Sequence, residues 1–139
     1  MPAKKLERQR LLVVAALIER RGRVLLSKRR ADQSFGGSWE FPGGKVEPGE
    51  DPRHALVREI REELDCLVRV REVVEVVFHA YPAFDLVMPV YRATIARGLP
   101  RAVEVADIAW VPRARLPKTN MPPADLPLAK RLAKTPARR

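Results

Sequence analysis

The sequence predicts a single α+β domain in which helices flank a mixed β-sheet. A length of 139 residues suits one hydrophobic core, and an apolar content of 46% is typical of a globular chain. Several segments alternate between apolar and polar residues as strands do, and two segments have helical periodicity. Their order is strand, strand, loop, helix, three strands and a final helix, which fits an α+β or a three-layer arrangement.

An antiparallel hairpin is predicted at the start of the fold. The segments LLVVAALIE (11–19) and RVLLSKR (23–29) are strand-like, and Gly22 between them suits a turn. The apolar run at 11–18 is too short to span a bilayer, and the polar sequence ERRGR follows it where a signal peptide has small residues. We therefore predict a soluble, cytoplasmic protein without a membrane segment.

The remaining elements follow in order. A loop (31–39) precedes a helix predicted over DPRHALVREIREELD (51–65), with Asp51 as N-cap and Pro52 at the first helical position. The later elements are then a long hairpin of CLVRVREVVEVVFHAY (66–81) and FDLVMPVYRATIAR (84–97) turning at Tyr81-Pro82, a strand DIAWVP (107–112), a proline-rich segment (113–123) and a closing helix ADLPLAKRLAK (124–134).

The acidic residues of the first helix indicate a cation site. On a helical wheel, Arg58 and Glu62 fall on the predicted solvent face, whereas Glu59 and Glu63 fall at the edge of the apolar face. Half-buried carboxylates without a partner are unfavourable, and neighbouring like charges on a helix repel each other. Carboxylate ligands without nitrogen or sulfur favour Mg²⁺ or Mn²⁺. The alternative is a series of surface ion pairs.

Other residue types narrow the choice of metal. Two histidines and one cysteine cannot form a Cys/His zinc site, and one cysteine excludes an internal disulfide. The glycine pair Gly43-Gly44 permits a close approach of the backbone, so that a carbonyl there can join the carboxylates around a metal. The alternative is that these two glycines only form a turn.

The charge distribution predicts a polyanionic ligand. The net charge is +10, yet seven acidic residues lie between Glu47 and Asp65 against three arginines. A basic body around an acidic pocket suits a polyanion that binds together with a divalent cation. We predict one domain over 1–139, with 1–10 and 134–139 as basic, flexible ends. The alternative for these ends is a solubilising surface.

The acidic segment resembles the motif of the Nudix hydrolases, G-x5-E-x7-R-E-U-x-E-E-x-G-U, in which U is aliphatic. Two positions depart from it, since Asp65 replaces the last glycine and Cys66 the last aliphatic residue. The segments SKRRAD, WEFPGGK and PPADLPLAKRL are similar to the MutT-like branch, so the resemblance covers most of the chain and implies an α/β/α sandwich. The matching residues are Gly44, Glu50, Arg58, Glu59, Ile60, Glu62 and Glu63.

The resemblance implies Mg²⁺-dependent hydrolysis of nucleoside triphosphates to monophosphate and pyrophosphate, with Mn²⁺ as an alternative metal. Arg58 would orient a glutamate and Glu50 would support the motif structurally. Glu104, six residues before Trp110, resembles a further ligand or general base of this branch, or is a surface acid. The implied metal ligands are Glu59, Glu62, Glu63 and Glu104, with a backbone carbonyl of Gly43 or Gly44. These four glutamates and Arg58 form the implied catalytic set.

The same resemblance implies the substrate contacts. Arg29 would contact phosphate, or is a surface charge, and Phe41 would line the base pocket, or is a core residue. Asp125 can accept hydrogen bonds from the cytosine N4 amino group or from guanine N1–H and N2, or it caps the last helix. The implied substrate-binding residues are Arg29, Ser34, Glu40, Phe41, Pro42, Gly43 and Asp125.

We favour cytosine nucleotides (CTP, dCTP or 5-substituted forms) as substrates. The alternative is an 8-oxo-dGTP diphosphatase, and the basic ends keep two minor alternatives: an RNA 5′-pyrophosphohydrolase and a non-catalytic nucleic-acid-binding protein. Because every glutamate of the motif is present, we do not favour a non-catalytic nucleic-acid-binding protein. We expect a monomer or homodimer, and we interpret His54, His79, Tyr91 and Trp110 as packing or surface residues.

Overall fold

The computed structural model describes residues 7–136, so the outer parts of the two predicted basic ends, 1–6 and 137–139, lie outside it. Its mixed sheet and helices confirm the predicted fold class. The elements are β1 (Gln9–Arg20), β2 (Arg23–Lys28), β3 (Trp39–Glu40), β4 (Gly43–Lys45), α1 (Pro52–Leu64), β5 (Leu67–Ala80), β6 (Phe84–Arg97), β7 (Asp107–Pro112), a 3₁₀ helix (Arg113–Lys118) and α2 (Leu126–Ala133).

Strand β1 organises the sheet because it pairs with three other strands. It lies parallel to β6 and antiparallel to β4, and it forms the predicted hairpin with β2. Arg21 and Gly22 both have positive φ in this hairpin turn, as a two-residue type I′ turn requires. The predicted long hairpin of β5 and β6 is confirmed, and β2 also pairs with β3 and β7.

Alternate residues of β1 face two separate cores, which gives the domain three layers. Val14 and Ile18 pack on the side of α1, whereas Ala15 and Leu17 pack on the side of α2. This follows from the two-residue period of a strand that is buried on both faces. The helices contribute Ala55, Leu56, Ile60 and Leu64 from α1 and Leu128, Ala129 and Leu132 from α2.

The short strands β3 and β4 were not predicted. They have two and three residues, and the glycines of β4 have a low intrinsic preference for strands. Gly43 pairs with Ala15 and Gly44 with Val14, so β4 lies directly against the central strand. A Cβ atom on Gly43 would collide with the Val14 carbonyl oxygen, which explains why glycine occupies this position.

Helix α1 is capped at both ends by aspartates. The Asp51 carboxylate accepts the Arg53 N–H at 2.8 Å, as predicted for the N-cap. Asp65 follows the helix with φ 53° and ψ 42°, the left-handed conformation in which this motif has glycine. Arg101 forms an exposed ion pair with Asp65 at 2.9 Å.

Within residues 7–136, no helix is long and apolar enough to cross a membrane.

Replacing Asp65 by glycine is expected to stabilise the protein without changing its activity. Relief of the left-handed strain contributes about 1 kcal/mol, and loss of an exposed ion pair removes less than that. A rise of about 3 °C in Tm in a thermal unfolding experiment is the expected result. A substantial loss of kcat would contradict the view that Asp65 affects only the end of the helix.

Candidate active site

Two glutamates of α1 point inward beside β4, as the helical wheel predicts. The Glu59 side chain is only 14% exposed, whereas that of Glu62 is 49% exposed. Burial raises the pKa of Glu59, although Arg58 opposes the shift. Burial, together with the negative charges of Glu59, Glu40 and Glu104, raises the pKa of Glu63 to about 9. The neighbouring cations therefore do not offset the burial and mutual repulsion of these carboxyl groups.

Arg58 connects the helix to the loop before it. Its guanidinium donates to both oxygens of Glu50 at 2.8 and 2.9 Å and to the Lys45 carbonyl at 3.1 Å. It also donates to Glu59 at 2.9 Å and Glu62 at 3.4 Å. The prediction that Arg58 is solvated was wrong, because these contacts turn its side chain back and leave it half-buried. The arrangement fixes the orientation of both glutamates.

Glu50 has the supporting position that the motif implies. Hydrogen bonds from Arg58 and from the Glu47 N–H lower the pKa of Glu50 to about 2. The carboxylate thus stays ionised, and it holds the guanidinium that contacts Glu59. Glu50 is thus connected to the acidic site through Arg58.

Gly44 leaves the space that the Glu59 carboxylate occupies. A Cβ atom on Gly44 would collide with the carboxylate carbon and one oxygen of Glu59. The sequence predicts that another group approaches the backbone closely at this glycine pair. At Gly44 that group is the Glu59 carboxylate.

Two alanine substitutions at adjacent glycines are expected to have different effects. Gly44→Ala should displace the Glu59 carboxylate and lower kcat by about 10- to 100-fold, as losses of ligand orientation do. Its stability should change little, because the displaced group is the end of a flexible side chain. Gly43→Ala should instead lower the free energy of unfolding by about 2 kcal/mol, since it strikes the backbone of β1. Steady-state kinetics and urea unfolding of both variants test this; equal loss of stability would contradict it.

Glu104 lies at the far end of the acidic site. Its N–H donates to the Glu63 carbonyl at 3.2 Å, and its side chain is exposed. Its charge contributes to the raised pKa of Glu63. Within residues 7–136, no three histidine, cysteine, aspartate or glutamate side chains already converge as a metal site. The ligand set, including Glu104, stays a prediction.

A cavity of about 410 Å³ opens beside the acidic site and contains most of the predicted substrate contacts. Pro42 is the exception, since it is buried and does not line the cavity. Its carbonyl oxygen accepts a hydrogen bond from the Ala16 N–H at 2.8 Å. Arg10 and Lys45 also line the cavity and were missed; only the fold brings Arg10 of β1 to this wall. The predicted lining residues are Arg29, Ser34, Glu40, Phe41, Gly43 and Asp125, together with Gly44.

Arg29 is held at the cavity wall by an acid and a loop. It donates to both Glu40 oxygens at 3.1 Å and to the Ser34 carbonyl at 2.7 Å. Burial raises the pKa of Glu40, and the charge of Arg29 opposes that shift. The guanidinium is thus fixed at the cavity wall, and its role as a phosphate contact stays a prediction.

Asp125 is buried at the same cavity. One of its oxygens accepts the Phe41 N–H at 3.1 Å, and its side chain makes no capping bond although it occupies the N-cap position of α2. The interpretation of Asp125 as a cap is therefore wrong. Burial and the charge of Glu40 raise the pKa of Asp125 to about 7. Phe41 is both a core residue and part of the cavity wall.

An apolar recess of about 120 Å³ adjoins this cavity and shares Asp125 with it. Tyr81 lies in its wall, with ring centroids 5.5 Å from Phe35 and 5.1 Å from Phe84. His79 packs on Tyr81 at 4.3 Å, in line with its predicted packing role. The recess is otherwise mostly apolar, with the carboxyl groups of Glu40 and Asp125 in its lining, and this combination suits a planar, hydrogen-bonding ring.

Comparison with known sequences gives a consistent result. The family description "NUDIX domain" matches residues 13–131. A "CTP pyrophosphohydrolase" of Escherichia coli K12 is 39% identical over 116 residues, covering 84% of this chain and 86% of that protein. An "8-oxo-dGTP diphosphatase" of Haemophilus influenzae is 35% identical over 126 residues, covering 89% and 93%.

Solved structures have the same fold. A MutT NUDIX hydrolase from Burkholderia pseudomallei has a TM-score of 0.78 at 34% identity, covering 88% of this chain and 98% of that one. A MutT protein from Methanosarcina mazei has a TM-score of 0.82 at 23% identity, covering 92% and 96%. The second likeness bears on the fold alone.

Proposed function

Since the chain belongs to the Nudix hydrolase family, we propose that it hydrolyses nucleoside triphosphates to monophosphate and pyrophosphate with Mg²⁺, and that it prefers cytosine nucleotides. The observation that carries the proposal is that the Glu59 carboxylate, which interacts with Glu63, lies against Gly44. Gly44 lines a cavity together with Arg29, Lys45 and Asp125. Acidic residues that can bind a cation, basic residues that can bind phosphate and a buried polar group that can bind a nucleobase thus adjoin one another.

The residues present fit a divalent cation. Glu59, Glu62 and Glu63 are hard oxygen donors, and burial together with neighbouring acids raises the pKa of Glu63, an effect that a bound cation would oppose. These three, with Glu104 and a carbonyl of Gly43 or Gly44, would hold Mg²⁺ or Mn²⁺. When bound, the ion supplies neutralisation of the triphosphate charge and acidification of the attacking water.

The chain's own residues would divide the remaining work. Arg58 keeps two carboxylates oriented through its bonds to Glu59 and Glu62, and Glu50 keeps Arg58 in place. Arg29 and Lys45 would bind phosphate oxygens at the cavity wall. We propose that Glu104 supplies either a further ligand or the base that removes a proton from water.

Asp125 would select the base. The ionised carboxylate accepts from the N4 amino group of cytosine, and the relative named CTP pyrophosphohydrolase supports this preference. A second candidate substrate is 8-oxo-dGTP. It is supported by the relative with that name and by the pKa of Asp125 near 7, since a protonated carboxyl group both donates and accepts.

A substrate panel with Mg²⁺ tests the proposal. CTP, dCTP, 5-methyl-dCTP, 8-oxo-dGTP, the ordinary triphosphates, ADP-ribose and triphosphorylated RNA are compared by kcat/KM, with pyrophosphate and phosphate measured separately. We expect pyrophosphate release, fastest with a cytosine triphosphate. The variant Asp125→Asn should change the preference for cytosine by roughly tenfold, because it replaces an acceptor by a donor and an acceptor.

Other results would point elsewhere. If an oxidised purine triphosphate were the best substrate, the proposed reaction would stand and the proposed preference for cytosine would be wrong. Preference for triphosphorylated RNA would favour the 5′-end alternative, and no turnover of any member would contradict the proposed activity. The cytoplasmic location and the state as monomer or homodimer stay predictions.

A further inference from the structure

We propose that Phe35 is a substrate-binding residue against which the nucleobase stacks when it enters the apolar recess beside Asp125. Phe35 belongs to the loop between β2 and β3, and it lines this recess together with Asp125, Tyr81 and Phe84. It lies outside the acidic motif and outside the predicted substrate contacts. Because the ligand is a nucleoside triphosphate, this role of Phe35 rests on the proposed function.

The Phe35 side chain packs on an aromatic neighbour and still stays exposed. Its ring centroid lies 5.5 Å from that of Tyr81, with 46° between the two ring planes, and Tyr81 in turn packs on Phe84. Phe35 nevertheless keeps 46% of its surface exposed, whereas Tyr81 keeps only 9%. A large aromatic side chain that lines a recess and remains this exposed has apolar surface available to a ligand.

The backbone of Phe35 has an unusual conformation, with φ 55° in the left-handed region. The described part of the chain contains two other non-glycine residues with positive φ, and both have a local reason, since Arg21 lies in a hairpin turn and Asp65 follows a helix. A bulky residue is unfavourable in this region, and such strain is concentrated at ligand-binding positions. Gly36 and Gly37 follow directly, yet the loop has phenylalanine at the left-handed position. The strain therefore indicates a role for the ring itself.

Hydrogen bonds fix the loop that carries Phe35. The Phe35 carbonyl oxygen accepts the Ser38 N–H at 3.0 Å and the Ser38 hydroxyl at 2.6 Å. One residue earlier, the Ser34 carbonyl oxygen accepts the Nε–H of Arg29 at 2.7 Å. A Cβ atom on Gly36 would collide with the backbone at the start of the loop, so this glycine lets the loop close tightly. Since the loop is already ordered, a base that binds against Phe35 pays little ordering entropy.

The neighbours of Phe35 allow one nucleotide to use the recess and the catalytic cavity together. Arg29 and Asp125 line both spaces, and Arg29 is the proposed phosphate contact. A base that bonds to Asp125 through its edge leaves its two faces for the recess walls. Among the aromatic residues of these walls, Phe35 is more exposed than Tyr81 and Phe84. Because every base has a face that can stack, this role is the same for cytosine and for 8-oxoguanine.

The test measures binding of the α,β-methylene analogue of CTP, which cannot be cleaved between its first two phosphorus atoms, by calorimetry with Mg²⁺. Phe35→Leu keeps an apolar side chain without an aromatic face and should raise Kd about tenfold, whereas Phe35→Tyr keeps the ring and should change Kd less than about twofold. The matched control Phe78→Leu makes the same change at an exposed phenylalanine of β5 and should leave Kd unchanged. Inorganic tripolyphosphate, which has no base, should bind equally to the wild type and to Phe35→Leu. All variants should retain the circular dichroism of the wild type.

Several outcomes would overturn the role of Phe35. These are wild-type affinity of Phe35→Leu for the analogue, an equal loss in Phe35→Tyr, and an equal loss in Phe78→Leu. A parallel loss of tripolyphosphate affinity would also overturn it, because it would show a displaced Arg29 and not a lost stacking surface. The series is repeated with the same analogue of 8-oxo-dGTP, and absence of wild-type binding to both analogues would overturn the role as well. If binding depends on Phe35 but no triphosphate is hydrolysed, only the proposed hydrolysis fails.

Discussion

Glu63→Gln is expected to lower kcat by roughly a thousandfold, the largest effect of any single substitution considered for activity. The amide keeps the shape of the side chain but loses the negative charge that would hold the cation. Hydrolysis of the best triphosphate in Mg²⁺ is the measurement. Glu47→Gln, the same chemical change at an exposed position of the preceding loop, is the matched control and should leave kcat unchanged.

The same substitution should stabilise the metal-free protein, in opposition to its effect on activity. Burial and neighbouring acids raise the pKa of Glu63 from 4.5 to about 9 in the folded state. Between these two values the folded protein binds more protons than the unfolded chain, so its stability falls as the pH rises through this window. The neutral amide does not titrate, and the Tm advantage of the variant should therefore be largest near pH 9 and vanish below pH 4.5.

Addition of Mg²⁺ separates a metal ligand from a merely buried acid. The ion should raise the Tm of the wild-type protein through binding to the folded state, and it should raise that of Glu63→Gln much less. Equal stabilisation of both proteins would show that Glu63 does not bind the ion, whatever the variant does to kcat. Loss of activity in the Glu47→Gln control would likewise contradict the assignment.

Periodicity was sufficient to predict which glutamates turn inward. Glu59 and Glu63 lie at the edge of the apolar face of α1, and a helix that packs on a sheet buries that edge. The wheel failed for Arg58 because it describes where a side chain leaves the helix and not how far it reaches. A long guanidinium side chain can turn back to the loop, and Glu50 and the Lys45 carbonyl provide the reason.

Long-range pairing was beyond sequence reasoning. Strand β4 lies directly against β1 because Gly43 has no Cβ atom that would strike the Val14 backbone, and no local preference predicts such a strand. By contrast, Trp110 packs against the core on the α1 side, in agreement with its interpretation as a packing or surface residue. The position of Asp125 against the Phe41 N–H likewise depends on contact between chain segments 84 residues apart.

A buried ion cluster accounts for the largest stability effect that we expect. Arg113 donates to the two Glu19 oxygens at 2.7 and 2.5 Å, and it also donates to the Thr135 and Pro136 carbonyls at 3.1 and 3.2 Å. Burial alone would raise the pKa of Glu19, but the hydrogen bonds from Arg113 and Arg92 lower it. The cluster therefore connects β1, the 3₁₀ helix and the segment after α2.

Arg113→Met is expected to lower the free energy of unfolding by about 3 kcal/mol, because it removes one of the two arginines that pair with the buried Glu19 carboxylate within residues 7–136. Urea unfolding measures this, and Arg101→Met, which breaks the exposed pair with Asp65, should cost less than about 1 kcal/mol. The double variant Glu19→Gln/Arg113→Met should recover part of the loss, since it removes the buried charge itself. If the double variant is as unstable as the sum of its single changes, the contribution of Arg113 lies in its bonds to the C-terminal segment and not in its pairing with Glu19.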